Sequence, residues 1–324
     1  MFDDDPLNVD TKVVAPKYIG GKKSKKTKQE ILDSILEEDE PWQNPDKFLY
    51  HVLSFAECPP HLRFTLFPKH KNLEQAGMLP SMDMPHHLKS HEWCQFREGS
   101  IVGPAPAPAS KSKRSPTGEA HKDYAYVEVG LPYPVRVPVP PEAPVEQGMR
   151  TTVRFAAATP PPSWPLLSQT ECENLDVQAC SNALPREEAG YYWGYTVRRA
   201  TSLSALFTEC EYPGGYDVTI GTSERGVPVQ SILPANNTEA HTSPLQRDFK
   251  HLLLVFGGVA GLEPAVANDP ELVKRGLGKG NAKDLFDAWV NLVPGQGSRT
   301  IRTEEAVEIG LCVVRPWVEA RGEE

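Results

Sequence analysis

Apolar positions set the first divisions of the chain. In QEILDSILEEDE, Ile31, Leu32, Ile35 and Leu36 fall on one helical stripe. Across 46–58, Phe48, Leu49, Val52, Leu53 and Ala56 recur at the same spacing until Pro59 and Pro60 end the run. Near Glu92 the period changes. CQFREGSIV, DYAYVEVG, YPVRVPV and MRTTVRFA read as short strands between turn signals, the pattern of a small barrel or sandwich. Pro132, Pro134, Pro138, Pro140, Pro141 and Pro144 confine their strands to edges or ends, because proline donates no ladder hydrogen bond.

After PPPSWP at 160–165 the pattern changes again. YYWGYTVR is a strand candidate, and Thr201 or Ser202 can cap a following helix that carries Leu203, Leu206 and Phe207. GGYDVTIGTSERG reads as a buried strand running into a polar, glycine-bounded loop. FKHLLLVFGGVAGLEPAV repeats the form: strand, glycine turn, helix start. A helix over AKDLFDAWV, a strand-like NLV, a glycine-rich turn and a last helix stopped by Pro316 complete the series. Alternation of strand and helix argues for a parallel α/β sheet. The unalternating LLLVF fits a sheet covered on both faces.

With 324 residues, the chain suits one large domain or two ordinary ones. Its 32 prolines are roughly twice the usual share, but they cluster, so they mark segments and leave the rest globular. The net charge of −9 excludes a uniformly basic nucleic-acid coat and leaves a local basic cleft open. Two basic stretches qualify. PKYIGGKKSKKTK, at 16–28, reads as a mobile basic loop, either a phosphate-contacting arm or localisation signal or simply a solvated lysine run. The loop after 60 mixes Arg63, Lys69, His70 and Lys71 with Phe64 and Phe67, a composition suited to meeting phosphates and stacking bases. No apolar run is long enough to cross a bilayer, and no secretory signal opens the chain, so no membrane partner is expected. Six cysteines without a CxxC pair point to a reducing compartment. His86, His87, His91 and Cys94 lack a second ligand pair at zinc spacing, so no metal is expected and the segment reads as a hinge. Trp193 with Tyr191, Tyr192 and Tyr195 reads as sheet core, with a base-stacking platform as the alternative.

Three loops follow predicted strands: 221–226 (GTSERG), 257–262 (GGVAGL) and 294–300 (PGQGSRT). In open α/β sheets ligands sit outside the carboxyl ends of the strands. Gly257, Gly258, Gly261, Gly295 and Gly297 remove side chains where a backbone must approach a ligand or take positive φ. Thr222, Ser223 and Ser298 offer hydroxyls. Neither GxxxxGK[ST] nor GxGxxG occurs, which weakens ATPase and dinucleotide readings.

GYDVTIGTSERG, HLLLVFGGVAGLE and the long, specific PGQGSRTIRTEEA resemble the C-terminal half of the SPOUT (α/β-knot) methyltransferases. Upstream, LRFTLFPKHKNLEQAGMLPSMDMPHH and FREGSIV resemble the RNA methyltransferase branch of that superfamily, whose knot domain carries an inserted OB-like barrel. The resemblance covers most of 46–315, apart from the proline-rich barrel loops. It implies an α/β fold with a SPOUT-type parallel sheet and a C-terminal trefoil knot. It divides the chain into 1–88 (first part of the knot domain, with the basic loop 16–28), 89–160 (the inserted barrel) and 161–324 (the part carrying the cofactor loops). Family members begin with a strand and helix ahead of a segment like FDDD, so that opening pair is expected to be missing here.

The resemblance also implies S-adenosylmethionine as cofactor, a homodimer, an RNA substrate and a location in nucleus, nucleolus or cytoplasm. By motif, Thr222, Ser223, Gly257, Gly258, Gly261, Asn291, Pro294, Gly295, Gln296, Gly297, Ser298 and Thr300 become cofactor-loop candidates. Methylation of a ribosomal RNA base is expected, with a uridine as one target. Glu224 is the nearest motif carboxylate to take a ring proton, and Arg225 can stabilise the resulting anion. A surface ion pair or loop clamp is the plain alternative for these two. Arg63, Lys69 and Arg299 are RNA-side candidates. Two other readings remain open: a non-catalytic RNA-binding or scaffold protein on the same fold, and methylation of protein.

Overall fold

The computed structural model describes residues 18–19, 22–23, 45–80, 82–106, 123–139, 145–233, 245 and 249–319. The expected helix with Ile31 and Leu36, the barrel-loop tip at 107–122, and Pro140, Pro141 and Pro144 lie outside these residues. The chain divides into two compact units, one of 12–199 and one built from 200–324.

In the first unit, part of the expected basic loop is a hairpin: β1 (Tyr18–Ile19) pairs antiparallel with β2 (Lys22–Lys23). The Gly-Gly pair between them is a hairpin signal that the lysine run obscured. Helix α1 (Pro45–Glu57) ends at the prolines as expected, and α2 (Pro60–Leu66) starts at once, since proline is tolerated in a first helical turn. The buried side of α1 departs from the apolar stripe. Asp46, Lys47, Tyr50, His51 and Glu57 are buried, while Leu49 stays 42% exposed. The buried acids have partners: Asp46 accepts from Arg199, and Glu57 from Arg150.

Five antiparallel strands follow: β3 (Phe96–Ala105), β4 (Asp123–Glu128), β5 (Val135–Val139), β6 (Arg150–Phe155) and, after α3 (Gln169–Asn174), β7 (Val177–Cys180). Their order is β5-β4-β3-β6-β7, and the end strands meet, giving a nearly closed barrel. Pro138 sits in end strand β5, where its missing donor costs no ladder bond on a further neighbour. Val127, Val135, Met149, Val153 and Phe155 fill the interior.

The outer side of β3 and β6 carries a buried ionic network. Arg150 donates to Glu98 (2.6 Å) and, through both terminal nitrogens, to Glu57 (2.7 and 3.2 Å). Trp193 Nε1 donates to Glu98 at 2.6 Å, and Thr152 donates to the same oxygen. Burial alone would lower the Arg150 pKa, but Glu57 and Glu98 outweigh it and hold the guanidinium above its usual range. This network explains why YYWGYTVR, expected as a strand, is irregular. Gly194 takes φ +76°, and a Cβ there would collide with the Glu57 carboxylate. Trp193 is buried against Phe96 and Cys180, while Tyr191 and Tyr192 remain exposed. Helix α4 (Leu184–Ala189) precedes this segment.

The second unit opens with α5 (Leu203–Thr208), capped by Ser202 as expected. It continues through β8 (Val218–Pro228), α6 (Val229–Ile232), β9 (Leu252–Val255), α7 (Glu263–Asn268), α8 (Pro270–Lys274), β10 (Ala288–Asn291) and α9 (Thr303–Glu319). The sheet order is β10-β8-β9, all parallel. Both faces are covered. Val218, Ile220, Leu252, Leu254 and Val290 pack with Val314 and Trp317 of α9. Leu253 and Val255 pack with Leu206, Leu262, Val266 and Leu272 on the other side. Asp269 ties α5 to α8 by accepting from Ser204 (2.6 Å) and Glu271 (3.0 Å). Burial opposes its charge, yet these donors leave its carboxyl below the usual range.

Two boundaries differ from expectation. The last strand is AWVN, beginning ahead of the expected NLV, because Ala288 and Val290 supply the buried side chains. The helix expected over AKDLFDAWV shrinks accordingly to a short 3-10 turn at Ala282–Leu285. Pro316 lies inside α9 instead of ending it. Its missing N–H falls on an exposed face, and the next residue, Trp317, is buried with its ring 5.0 Å from that of Phe249. That contact carries the helix past the proline.

Arg150→Met leaves Glu57 and Glu98 buried without their cation. Unfolding free energy, measured by urea denaturation, should fall by about 3–5 kcal/mol.

Candidate functional site

The carboxyl ends of three parallel strands converge on one cleft of about 330 Å³. Its shape begins with an irregularity in β8. Gly221 pairs with Trp289 of β10, and the next matched pair is Val227 with Val290. Residues 222–226 therefore leave the ladder as a five-residue excursion. Glycine stands at each foot because β10 is too close for anything larger. A Cβ at Gly221 would lie 2.6 Å from the Trp289 ring, and one at Gly226 would overlap the Val290 backbone.

The second wall is the turn after β9. Gly261 N–H donates to Gly258 O at 2.9 Å, and Gly261 takes φ +81°, a conformation that favours glycine. A Cβ on Gly257 would collide with the Gly261 backbone. The third wall is the segment after β10, which turns at Gly295 with φ +77° and leads into α9. At Gly310 a Cβ would meet Phe256 at 2.7 Å, so the absence of a side chain lets α9 pack close behind the glycine turn.

Many polar groups of these walls are spent on one another. Thr222 Oγ1 donates to Val255 O (2.9 Å) and so pins the excursion to β9. Asn291 Nδ2 donates to Glu224 O (2.9 Å), pinning it to β10. Ser223 Oγ accepts from the Arg225 N–H (3.2 Å). Gln296 Nε2 donates to Ser298 O (2.7 Å), and Ser298 Oγ to Thr300 O (2.8 Å). Thr303 Oγ1 reaches Gly257 O at 3.4 Å, tying α9 to the second wall. The cleft is thus built largely of backbone held in place by short side chains.

The structure brings together Thr222, Ser223, Glu224, Arg225, Gly257, Gly258, Gly261, Asn291, Gln296, Arg299 and Thr300 as lining residues. Pro294, Gly295, Gly297 and Ser298 belong to the third wall without lining the cleft. Arg63 and Lys69 belong to the other unit. Arg63 donates to Cys58 O (2.9 Å) and Ala56 O (3.2 Å), with its guanidinium 4.7 Å from the centre of the Phe55 ring. His86 and His87, weighed as ligands, bond the Glu57 carbonyl at 2.9 and 2.8 Å.

Sequence reasoning missed Glu263 and the apolar Leu292, Val293 and Ile301, which also line the cleft. Glu263 immediately follows GGVAGL, so its place at a helix start beside a ligand-type turn was the available signal. Its carboxylate is 16% exposed and stands 3.9 Å from Arg225 Nη1. The cleft therefore offers backbone for close contact, apolar side chains for a flat group, and both signs of charge at its rim.

A family model described as "Putative RNA methyltransferase" matches residues 8–314. The chain is 39% identical over 268 residues to the Homo sapiens protein named 28S rRNA (uridine-N(3))-methyltransferase, covering 83% of this chain and 60% of that protein. The Mus musculus protein of the same name is 39% identical over 269 residues, covering 83% and 58%. The Drosophila melanogaster protein of that name is 37% identical over 268 residues, covering 82% and 46%. The chain thus spans about 60% or less of these curated relatives.

Gly226→Ala should destabilise the second unit by about 1–3 kcal/mol through overpacking against Val290. Chemical denaturation reads the loss, and an unchanged midpoint would show that β8 and β10 can part at this point.

Proposed function

Because this chain belongs to the putative RNA methyltransferase family, we propose that it transfers a methyl group from S-adenosylmethionine to N3 of a uridine in ribosomal RNA. The observation that carries the reading is the convergence of three strand-end loops on one cleft, with glycine wherever a backbone must come close. The cleft's volume lies in the range of small-molecule sites. Its donor set suits the cofactor: backbone groups of 257–261 for a purine edge, the polar 296–300 segment for the amino-acid end, and Leu292, Val293 and Ile301 for the flat base.

When bound, S-adenosylmethionine supplies an electrophilic sulfonium methyl group. The chain's own residues supply the rest. Uridine N3 carries a proton that must leave before it can act as a nucleophile. Glu224, on the exposed excursion, takes that proton. Arg225 offers up to five N–H donors to the negative charge that then spreads over the uracil carbonyls. Arg299, exposed on the third wall, faces the RNA phosphate. The three walls hold base and methyl in line.

The finer architecture in this proposal is a trefoil knot made by the second and third walls, and a homodimer. Val259 at 82% and Leu311 at 59% exposure are apolar groups of this unit that a second copy would cover.

Titration with S-adenosylhomocysteine should show binding near micromolar affinity, about 8 kcal/mol. A folded chain that binds nothing would instead favour the non-catalytic scaffold. Glu224→Gln should keep that affinity and slow labelled-methyl transfer into ribosomal RNA by about 100-fold or more. Unchanged turnover would remove Glu224 from the mechanism.

A further inference from the structure

Glu224 and Arg225 adjoin in sequence, which suggests a local pair. The structure pairs Arg225 elsewhere. Arg225 reaches the opposite wall, where its Nη1 stands 3.9 Å from Glu263 Oε1. The two partners are unequally held. Glu263 is the first residue of α7, with its carboxylate folded against Gly261, where the missing Cβ leaves it room. Arg225 rises from the excursion with its side chain 76% exposed. Among the described residues, its guanidinium is held by this one ion pair. A rooted carboxylate thus faces a long, otherwise loosely held cation across the cleft.

At 3.9 Å and with its cation mostly in solvent, the pair adds little to stability, so its consequence lies in where it puts the guanidinium. A single carboxylate contact leaves most of the five N–H donors unused. We infer that Glu263 is a positioning residue: it draws Arg225 across the cleft and sets the remaining donors toward the base. This rests on the methyl-transfer reading, because it concerns how Arg225 serves that reaction. It assigns Glu263 no contact with substrate or cofactor.

A double-mutant cycle tests it. Wild type, Glu263→Gln, Arg225→Ala and the double variant are compared in single-turnover methyl transfer to ribosomal RNA at saturating cofactor, alongside S-adenosylhomocysteine affinity. Arg225→Ala should slow transfer about 100-fold and Glu263→Gln about tenfold. The double variant should be within about twofold of Arg225→Ala alone, because Glu263 then has nothing to position. Analogue affinity should be unchanged throughout. Additive losses, or a Glu263→Gln variant that binds the analogue more weakly, would overturn the inference and make Glu263 a cofactor contact.

A second readout needs no turnover. In arginine-labelled protein, the Arg225 Nε–H resonance should shift and exchange faster in Glu263→Gln than in wild type. Identical spectra would overturn the pairing. A wild-type chain that methylates no RNA would sink the methyl-transfer reading, and the spectra would still decide the pairing.

Discussion

Between Gly221 and Val227, β8 spends five residues where β10 advances by a single step, and the cleft follows from that mismatch. The strands cannot separate to absorb the extra chain, because Gly221 and Gly226 sit against β10 at distances only glycine allows. The surplus is therefore pushed beyond the sheet's carboxyl edge. There Thr222 and Asn291 fasten it to the ends of β9 and β10. Glu224 and Arg225 reach the cleft because they lie on this surplus. Side chains in a regular ladder would have been divided between the two packed faces of the sheet.

The other unit is held by a different balance. Its barrel has an ordinary apolar interior, but α1 and the segment around Trp193 are joined to it through charge: one arginine between two glutamates, all nearly excluded from water. Such a network contributes less net stability than an apolar contact of equal size, since each ion is desolvated. What it adds is selectivity among arrangements. Arg150, Glu57, Glu98 and the Trp193 indole satisfy one another in this arrangement, and sliding α1 by one turn would strand a buried charge.

These two regimes explain what was legible in the sequence. Val-, Phe- and Leu-rich strands announced themselves through period or through an unbroken apolar run, so four of the five barrel strands and the β8 and β9 strands were readable, whereas the short β7 was not. So were the Ser202 cap and the three loops that meet at the cleft. Polar side chains that bury were not readable. The apolar spacing of α1 suggested the wrong inner face, since Asp46 and Glu57 are buried only because arginines distant in the chain reach them. YYWGYTVR has strand composition, but its conformation answers to Glu57 and Glu98. Glu263 escaped notice because an acid at a helix start is common, and its significance depends on Arg225 lying opposite. Pro316 failed as a helix stop for a similar reason, since a buried tryptophan one residue on outweighed a local rule.

The hydrogen bonds that tie the cleft walls together have a thermodynamic consequence. Because Thr222, Asn291, Gln296 and Ser298 already secure their loops, the entropy of ordering those loops is lost when the chain folds. A ligand entering the cleft meets a preorganised surface, so more of its contact energy appears as affinity. The same rigidity makes the cleft exacting about shape. A group slightly too large cannot be accommodated by a loop that is already fixed at both ends.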